Sequence, residues 1–250
     1  MMPRMVRLLA ALIALALAPA GAEAQAVADA PATLVPTFSI WDVALGEPVA
    51  ESDPRKVGEI ACGTDGGPAG TELRTFSEWD QCPAEDGTGL HEVYFSYDDE
   101  QDYIAKALEL EYKYLQGGTS VFAHPVMVSI LVDDAGISRG LRIITDDRAP
   151  ETVRRNAVTL GRNFEARYEG WRLDCHDIPP ADGEQPVGSQ FIHHVCSGTD
   201  PDGSGTTISI ESTYLRKRGQ EAINRETQTV NRGYFESRTR FELITAGAPG

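Results

Sequence analysis

The chain has 250 residues, of which 22 are Lys or Arg and 38 are Asp or Glu, and its formal net charge is −16. Such an acidic chain lacks the basic footprint that nucleic-acid binding and docking on anionic lipid require, so we expect neither kind of partner. Hydrophobic residues make up 41% of the chain and charged residues 24%, a balance typical of globular proteins. The negative charge is distributed unevenly along the chain, since residues 201–250 contain seven Lys and Arg and six Asp and Glu and are close to neutral.

The N-terminal segment has the pattern of a cleavable secretory signal peptide. Two arginines precede an apolar run from Leu8 to Ala18, which is shorter than the ~20 residues that cross a bilayer as a helix. Small residues then favour cleavage after Ala24, and a cut after Ala26 is the alternative. We therefore predict a signal peptide at 1–24, a flexible Ala/Pro-rich leader at 25–37, and a protein of the periplasm or secreted medium without an integral membrane segment.

The first half of the remaining chain predicts a mixture of helices and strands. In chain order, the predicted elements are a helix over 40–61, a Gly-rich loop over 63–70, a strand over 91–97 and a helix over 98–117. The last helix has acidic residues at its start and acid-before-base pairs four residues apart. The β-rich runs 126–132 and 137–145 then flank Asp133-Asp134-Ala135-Gly136, which is typical of a β-hairpin.

The second half begins with a helix and continues with strands. Val153, Ala157, Leu160, Phe164 and Tyr168 form one apolar helical face, and Gly170 follows it. Strands joined by turn residues are then predicted at 171–175, 190–196, 206–215, 221–230 and 234–244. Together these elements predict an α+β fold, in which a few helices pack on an antiparallel β-sheet.

Four cysteines, an even number, predict two disulfide bonds in an exported chain. They are Cys62, Cys82, Cys175 and Cys196. Three pairings are possible, and the local ones, Cys62 with Cys82 and Cys175 with Cys196, are favoured because their separations of 20 and 21 residues match. A zinc site formed by cysteines and the neighbouring histidines His176, His193 and His194 is the alternative, which an oxidising compartment disfavours.

A short motif before each cysteine pair suggests a degenerate tandem repeat of two units, at 38–147 and 148–246, packed as one globular body. Val43-Ala44-Leu45-Gly46 precedes Cys62, and Val158-Thr159-Leu160-Gly161 precedes Cys175. On these motifs the chain resembles the tandem αβ modules of the β-lactamase-inhibitor-protein and small outer-membrane lipoprotein A group. It departs from the lipoproteins in lacking a lipidation cysteine and in the insertion at 98–117. The resemblance implies protein binding through an exposed sheet face and carries over no functional residues.

Most motifs typical of catalysis or cofactor binding do not occur in the sequence: H-E-x-x-H, the P-loop and the dinucleotide fingerprint are missing. The pattern G-x-S-x-G occurs once, at 136–140, where it follows the predicted hairpin turn instead of leading into a helix as a nucleophile elbow does. We therefore expect a non-enzymatic protein without a cofactor. The dipeptide His193-His194 is unusual, but successive strand residues face opposite sides of a sheet, so we expect local polar contacts rather than one shared metal.

Four acidic clusters make calcium binding an alternative interpretation of the sequence. They occur at 98–100, 133–134, 146–147 and 200–203. Calcium needs six to eight converging oxygen ligands, whereas these carboxylates lie in separate turns and at a helix N-terminus. We therefore expect no tight metal site.

The C-terminal strands are the predicted recognition surface. This segment is close to neutral, and Tyr and Arg are the residue types that carry most interface energy. The predicted surface residues are Tyr214, Arg216, Tyr234, Arg238 and Arg240. We expect an exported protein that binds another protein or an envelope component through this sheet. The alternatives are a periplasmic metal- or small-ligand-binding protein and a hydrolase with a dispersed site.

Overall fold

The computed structural model describes residues 40–52, 57–96, 119–149, 154, 157–217, 222–223, 230–231 and 235–248. The predicted signal peptide, the leader and the predicted helix at 98–117 lie outside these residues. The described part is mostly antiparallel β-sheet with few helices.

Thirteen strands are present in the described part of the chain. They are β1 (Ile60–Cys62), β2 (Glu72–Leu73), β3 (His91–Phe95), β4 (Thr119–Val121), β5 (His124–Val132), β6 (Ser138–Thr145), β7 (Asp174–Asp177), β8 (Glu184–Gln185), β9 (Ile192–Thr199), β10 (Thr207–Lys217), β11 (Ala222–Ile223), β12 (Val230–Asn231) and β13 (Glu236–Ile244). The α-helix α1 (Ala157–Arg167) accompanies them. Short 3₁₀ helices lie at Ile40–Asp42, Val49–Glu51, Phe76–Gln81 and Glu169–Trp171.

Eleven of these strands form one sheet, whose central order is β2-β1-β3-β5-β6-β13-β10-β9-β7. Beside this path, β4 pairs with β5, and β8 pairs with β10. The N-terminal strands meet the C-terminal strands where β6 pairs with β13, with Ile144 opposite Arg240 and Gly140 opposite Ile244. The strands β11 and β12 pair only with each other among the described residues.

The helix α1 covers one face of the sheet, which we call the helix face. It packs on β10 and β13, and its apolar residues Leu160 and Phe164 are fully buried there. The ring of Phe164 stacks on Phe241 of β13 with 4.4 Å between centroids. The apolar periodicity that predicted a helix in this region therefore reports the side that faces the sheet.

The predicted hairpin is confirmed as β5 and β6. The carboxylate of Asp133 organises its turn, since Oδ1 accepts hydrogen bonds from the backbone N–H groups of Ala135 and Ile137, each at 2.9 Å. Arg139 donates from Nε to Oδ2 at 2.6 Å. Burial raises the pKa of the Asp133 carboxyl, but the hydrogen bonds from Ile137, Arg139 and Ala135 outweigh it, so the pKa lies below its ordinary value.

Replacing Asp133 with alanine is expected to lower the free energy of unfolding by about 1–2 kcal/mol at neutral pH, because the turn loses three hydrogen bonds to a charged acceptor. The native carboxyl has the lowered pKa, so its stabilisation is complete above the ordinary value of 3.8 and is lost as pH falls through the native pKa. Urea denaturation of both proteins between pH 7 and pH 2 checks this. A difference that grows toward acid pH would contradict it.

The predicted helix over 40–61 is wrong. The structure has two short 3₁₀ helices in this segment and then the strand β1. Backbone N–H groups of Gly46 and Val49 donate to the carbonyls of Ser138 and Gly136, at 2.7 and 2.9 Å. The segment therefore lies along the tip of the β5–β6 hairpin, and these tertiary hydrogen bonds replace those of a helix.

Two strand predictions also need correction. The predicted strand at 171–175 begins later, at Asp174, because Trp171 ends a 3₁₀ helix and Arg172 has a positive φ of 51°. The predicted strand at 221–230 is not one strand, since β11 and β12 are separate strands that pair antiparallel, with Ile223 opposite Val230. Strands at 190–196, 206–215 and 234–244 correspond to β9, β10 and β13, with small shifts at their ends.

The two disulfide bonds join Cys62 to Cys82 and Cys175 to Cys196, the pairings that the spacing predicted. Cys175 and Cys196 lie directly opposite each other on β7 and β9, with Cα atoms 4.0 Å apart. Structural disulfides are typical of proteins that fold outside the reducing cytoplasm. In the part of the chain that the structure describes, we find no helix with the length and apolarity needed to cross a membrane.

Candidate binding site on the charged face of the sheet

The face of the sheet opposite α1 carries a connected set of ionic side chains, and we call it the charged face. Its members are Glu92 of β3, Arg142 of β6, Glu211 of β10 and Glu236, Arg238, Arg240 and Glu242 of β13. They share a face because Arg142 is opposite Glu242, and Glu211 is opposite Arg240. Alternate residues of the same strands point toward α1.

Arg142 is the centre of this face and is almost completely buried, with 2% of its surface exposed. Its Nε donates to Oε1 of Glu242 at 2.6 Å, and its Nη2 donates to Oε2 of Glu85 at 3.0 Å. Nη1 also pairs with Glu85 and lies 3.1 Å from Oε2 of Glu92. Oδ1 of Asp65 lies 3.6 Å from Nη1, so the buried guanidinium is compensated by four carboxylates.

Contacts between Arg142 and its carboxylate partners shift the pKa values of Glu85 and Arg142. Burial alone would raise the pKa of Glu85, but the hydrogen bond and the charge of Arg142 outweigh burial and hold that pKa below its ordinary value. Burial alone would lower the pKa of Arg142, yet Glu85, Glu242 and Glu92 raise it. Both groups therefore stay charged at neutral pH.

The loop after β1 lies over the junction of β6 and β13. The backbone N–H of Asp65 donates to Oε2 of Glu92 at 2.7 Å, and its carbonyl accepts from Nη2 of Arg238 at 2.9 Å. Its carboxylate pairs with Arg240. Gly66 follows with a φ of +80°, and a Cβ there would lie 2.8 Å from Ile144 Cγ2. Only a glycine lets this loop approach so closely.

A cavity of 160 Å³ opens on the charged face between β10 and β13. Its lining residues are Glu211, Thr213, Glu236, Arg238 and Arg240. This volume is about that of a benzene-sized group, so the cavity suits one inserted side chain.

Most charges around the cavity already have partners. Nε2 of His193 donates to Oε1 of Glu211 at 2.8 Å, and Nζ of Lys217 lies 2.8 Å from Oε2 of Glu236. Arg240 pairs with Asp65 and with Glu242. Nε of Arg238 is different, because it is buried and has no hydrogen-bond partner among the described residues.

The structure divides four of the five surface residues that the sequence suggested between two faces of the sheet. Arg238 and Arg240 lie on the charged face, whereas Tyr214 and Arg216 alternate toward the helix face on β10. The ring of Tyr214 contacts Phe235, with 5.1 Å between centroids. Tyr234 lies outside the described residues. Among the four described residues, only Arg238 and Arg240 therefore share a face that could meet a partner together.

Sequence reasoning missed the other lining residues, Glu211, Thr213 and Glu236. The available signal was the alternation in Glu236-Ser237-Arg238-Thr239-Arg240-Phe241-Glu242, where every second residue is charged. That pattern predicts one charged face on β13. Its partners on β6 and β10 follow only from strand register.

A second polar cluster lies on the helix face, at the edge formed by β7 and β9. It joins the disulfide Cys175–Cys196, His194 of β9 and Glu165 of α1. Nδ1 of His194 donates to Oδ1 of Asp177 at 2.7 Å. The neighbouring His193 contacts Glu211 on the charged face, so the two adjacent histidines point to opposite faces of the sheet.

Comparison of the chain with protein-family models, with curated proteins and with solved structures gave no match.

Proposed function

We propose that this is an exported, non-enzymatic protein of the periplasm or secreted medium that binds a protein or envelope component through the charged face of its C-terminal strands. The observation that carries the proposal is Nε of Arg238, a buried donor without a partner in the described chain, on a residue that lines the cavity. A buried unpaired donor costs free energy, which an incoming acceptor oxygen recovers.

The chemistry of the cavity indicates what that acceptor is. The carboxylates of Glu211 and Glu236 already pair with His193 and Lys217. A partner's carboxylate or amide side chain fits the volume and satisfies the guanidinium of Arg238. The near-neutral C-terminal segment of an otherwise acidic chain lowers the repulsion that an acidic partner would meet.

We further propose that the sheet consists of two related αβ units. The strands β1, β3, β5 and β6 are adjacent in chain order, as are β7, β9, β10 and β13, and a cysteine-bearing strand starts each series. This order supports the tandem organisation and the resemblance to the β-lactamase-inhibitor-protein and small outer-membrane lipoprotein A group. The V-x-L-G motifs do not support it, because Gly46 lies in a turn and Gly161 lies inside α1.

The test of function is capture of a partner by the purified chain from an envelope extract, compared between two charge reversals. We expect Arg238→Glu to weaken binding at least about tenfold, since it replaces the unpaired donor with a like charge for the partner. The matched control is Arg162→Glu, which makes the same charge change at an exposed position of α1. Arg240 is less suitable, because its reversal would break two ion pairs, with Asp65 and Glu242, whereas reversal of Arg238 breaks one hydrogen bond, to the carbonyl of Asp65.

The two variants must first be shown to unfold at similar temperatures. Equal capture by Arg238→Glu and the unmodified chain would show that the charged face is not the recognition surface. Loss of capture in both variants would indicate a long-range charge effect instead of a contact at the cavity.

A further inference from the structure

The edge of the helix face brings together four side chains that are common zinc ligands. Glu165 of α1, Cys175 of β7, and His194 and Cys196 of β9 each place one donor atom within 4.8 Å of the others. Nε2 of His194 lies 3.4 Å from Sγ of Cys196 and 3.8 Å from Oε1 of Glu165. Three separate elements of the fold therefore converge on one small volume.

These separations suit a tetrahedral zinc ion. With bonds of about 2.3 Å to sulfur and about 2.0–2.1 Å to nitrogen or oxygen, neighbouring donors in a tetrahedron lie about 3.3–3.8 Å apart. The distance from Nε2 of His194 to Sγ of Cys196 falls in this range. Oε1 of Glu165 lies 3.8 Å from Nε2 and would have to move closer, to the separation of about 3.3 Å that two atoms bonded to zinc at about 2.0–2.1 Å require. The sulfur atoms, now bonded to each other, would have to separate to about 3.8 Å. The exposed position of Cys175 leaves room for its side chain to rotate.

The orientation of His194 gives independent support. Asp177 accepts the hydrogen bond from Nδ1 at 2.7 Å, so in the neutral imidazole the proton sits on Nδ1 and the lone pair of Nε2 faces Cys196 and Glu165. Histidine ligands of zinc usually donate their other N–H to a carboxylate in the same way. The imidazole is thus already set in the tautomer that binds a metal through Nε2.

We propose that reduction of the Cys175–Cys196 disulfide converts this cluster into a Zn²⁺ site with Cys175, Cys196, His194 and Glu165 as ligands. In the disulfide the sulfurs are not thiolates and cannot bind the ion. A dithiol reductant supplies two electrons, the S–S bond breaks, each sulfur takes a proton, and the dithiol becomes a disulfide. Zinc then displaces both protons as it binds the two thiolates.

The fold makes this reduction selective. Cys175 is exposed, whereas Cys62 and Cys82 are buried, with 4% and 2% of their surfaces exposed. Thiol–disulfide exchange requires access to a sulfur atom, so a reductant reaches Cys175 first. The Cys62–Cys82 bridge remains and continues to hold the 63–81 segment while the zinc site forms.

The experiment is zinc titration of the purified chain before and after mild reduction with a phosphine, which is a weak zinc ligand. We expect one Zn²⁺ per chain in the reduced protein and none in the oxidised protein. Substitution with Co²⁺ should give the visible bands of a tetrahedral site and a near-ultraviolet thiolate charge-transfer band. Mass spectrometry after alkylation should show labels on Cys175 and Cys196 and an intact Cys62–Cys82 bridge.

Three variants separate a built site from adventitious binding. Asp177→Asn should weaken zinc binding about 10–100-fold, since it removes the carboxylate that orients His194. His194→Ala removes a ligand and should weaken it further. His176→Ala is the matched control, because this exposed histidine is next to Cys175 but points to the opposite face of the sheet. The affinity of this variant for zinc should equal that of the unmodified chain.

Zinc should also slow alkylation of Cys175 and Cys196 in the reduced chain, and His194→Ala should abolish that protection. Equal affinities of His194→Ala and the unmodified chain would overturn the proposal. A reduced chain that loses its sheet circular dichroism and does not regain it with Zn²⁺ would overturn it as well.

Discussion

Replacing Arg142 with methionine is expected to lower the free energy of unfolding by about 3–5 kcal/mol. The guanidinium is buried and pairs with Glu85, Glu92 and Glu242. Methionine fills much of the same volume but leaves these carboxylates beside one another without a compensating charge. Guanidinium chloride denaturation with both disulfides intact measures the difference.

The control is Arg74→Met, which removes an exposed pair. Arg74 has 91% of its side chain exposed and lies 3.3 Å from Glu78. Exposed ion pairs contribute about 0–1 kcal/mol, so this variant should unfold almost like the parent. A decrease of less than about 1 kcal/mol in the free energy of unfolding of Arg142→Met would contradict the prediction. It would mean that water, or movement of the loop after β1, stabilises the carboxylates in place of the guanidinium.

The cost of Arg142→Met should depend on pH in a defined direction. In the native protein the pKa of Glu85 is below its ordinary value of 4.5. The stabilisation from its ionised form is therefore complete above about pH 4.5 and is lost as pH falls through the native pKa. In the variant, protonation of Glu85 removes its repulsion with the neighbouring carboxylates. The difference between the two proteins should thus shrink as pH is lowered from 7 to 3.

Local sequence signals were sufficient for parts of this fold. The β5–β6 hairpin follows from two apolar runs around Asp133-Asp134-Ala135-Gly136, and α1 follows from the spacing of Ala157, Leu160 and Phe164. In both cases the residues that decide the structure lie within one turn or one helix face. The prediction of a helix over 40–61 was wrong for the opposite reason. The backbone groups that this segment hydrogen-bonds, those of residues 136 and 138, are about ninety residues away in the sequence.

The contacts of the charged face also join residues that are far apart in the sequence, so local patterns do not predict them. Arg142 is 57 residues from Glu85 and 100 residues from Glu242. The pairing of β6 with β13 places Arg142 opposite Glu242, whereas Glu85 reaches Arg142 from the segment that precedes β3. Arg238 was found as a candidate from its residue type. Its separation from Tyr214 depends on strand register, in which a shift of one residue would exchange the faces.

The second large loss of stability is expected from substitution of Gly161, which lies in the middle of α1. Glycine normally weakens a helix by about 1 kcal/mol relative to alanine, so an ordinary site would gain stability from Gly161→Ala. Here a Cβ would overlap Oγ of Ser212 and lie 3.3 Å from its Cβ and 3.5 Å from Oγ1 of Thr239. The helix can lie this close to β10 and β13 only without a side chain at this position.

We therefore expect Gly161→Ala to lose stability despite its better helix propensity, and Gly161→Leu to lose about 3 kcal/mol by overpacking the interface between α1 and the sheet. Denaturant unfolding measures both changes. Ala166→Leu, at an exposed position of the same helix, is the control and should change stability by less than about 0.5 kcal/mol.

A double variant identifies the contact that causes the loss. Ser212→Ala removes the hydroxyl that a new Cβ would overlap, although it also breaks the 2.9 Å hydrogen bond between Ser212 and Thr239. Gly161→Ala should therefore cost less in the Ser212→Ala background than in the parent, which is a coupling between contacting residues. If Gly161→Ala instead stabilises the parent, α1 is free to move away from β10, and the close approach is not required for the fold.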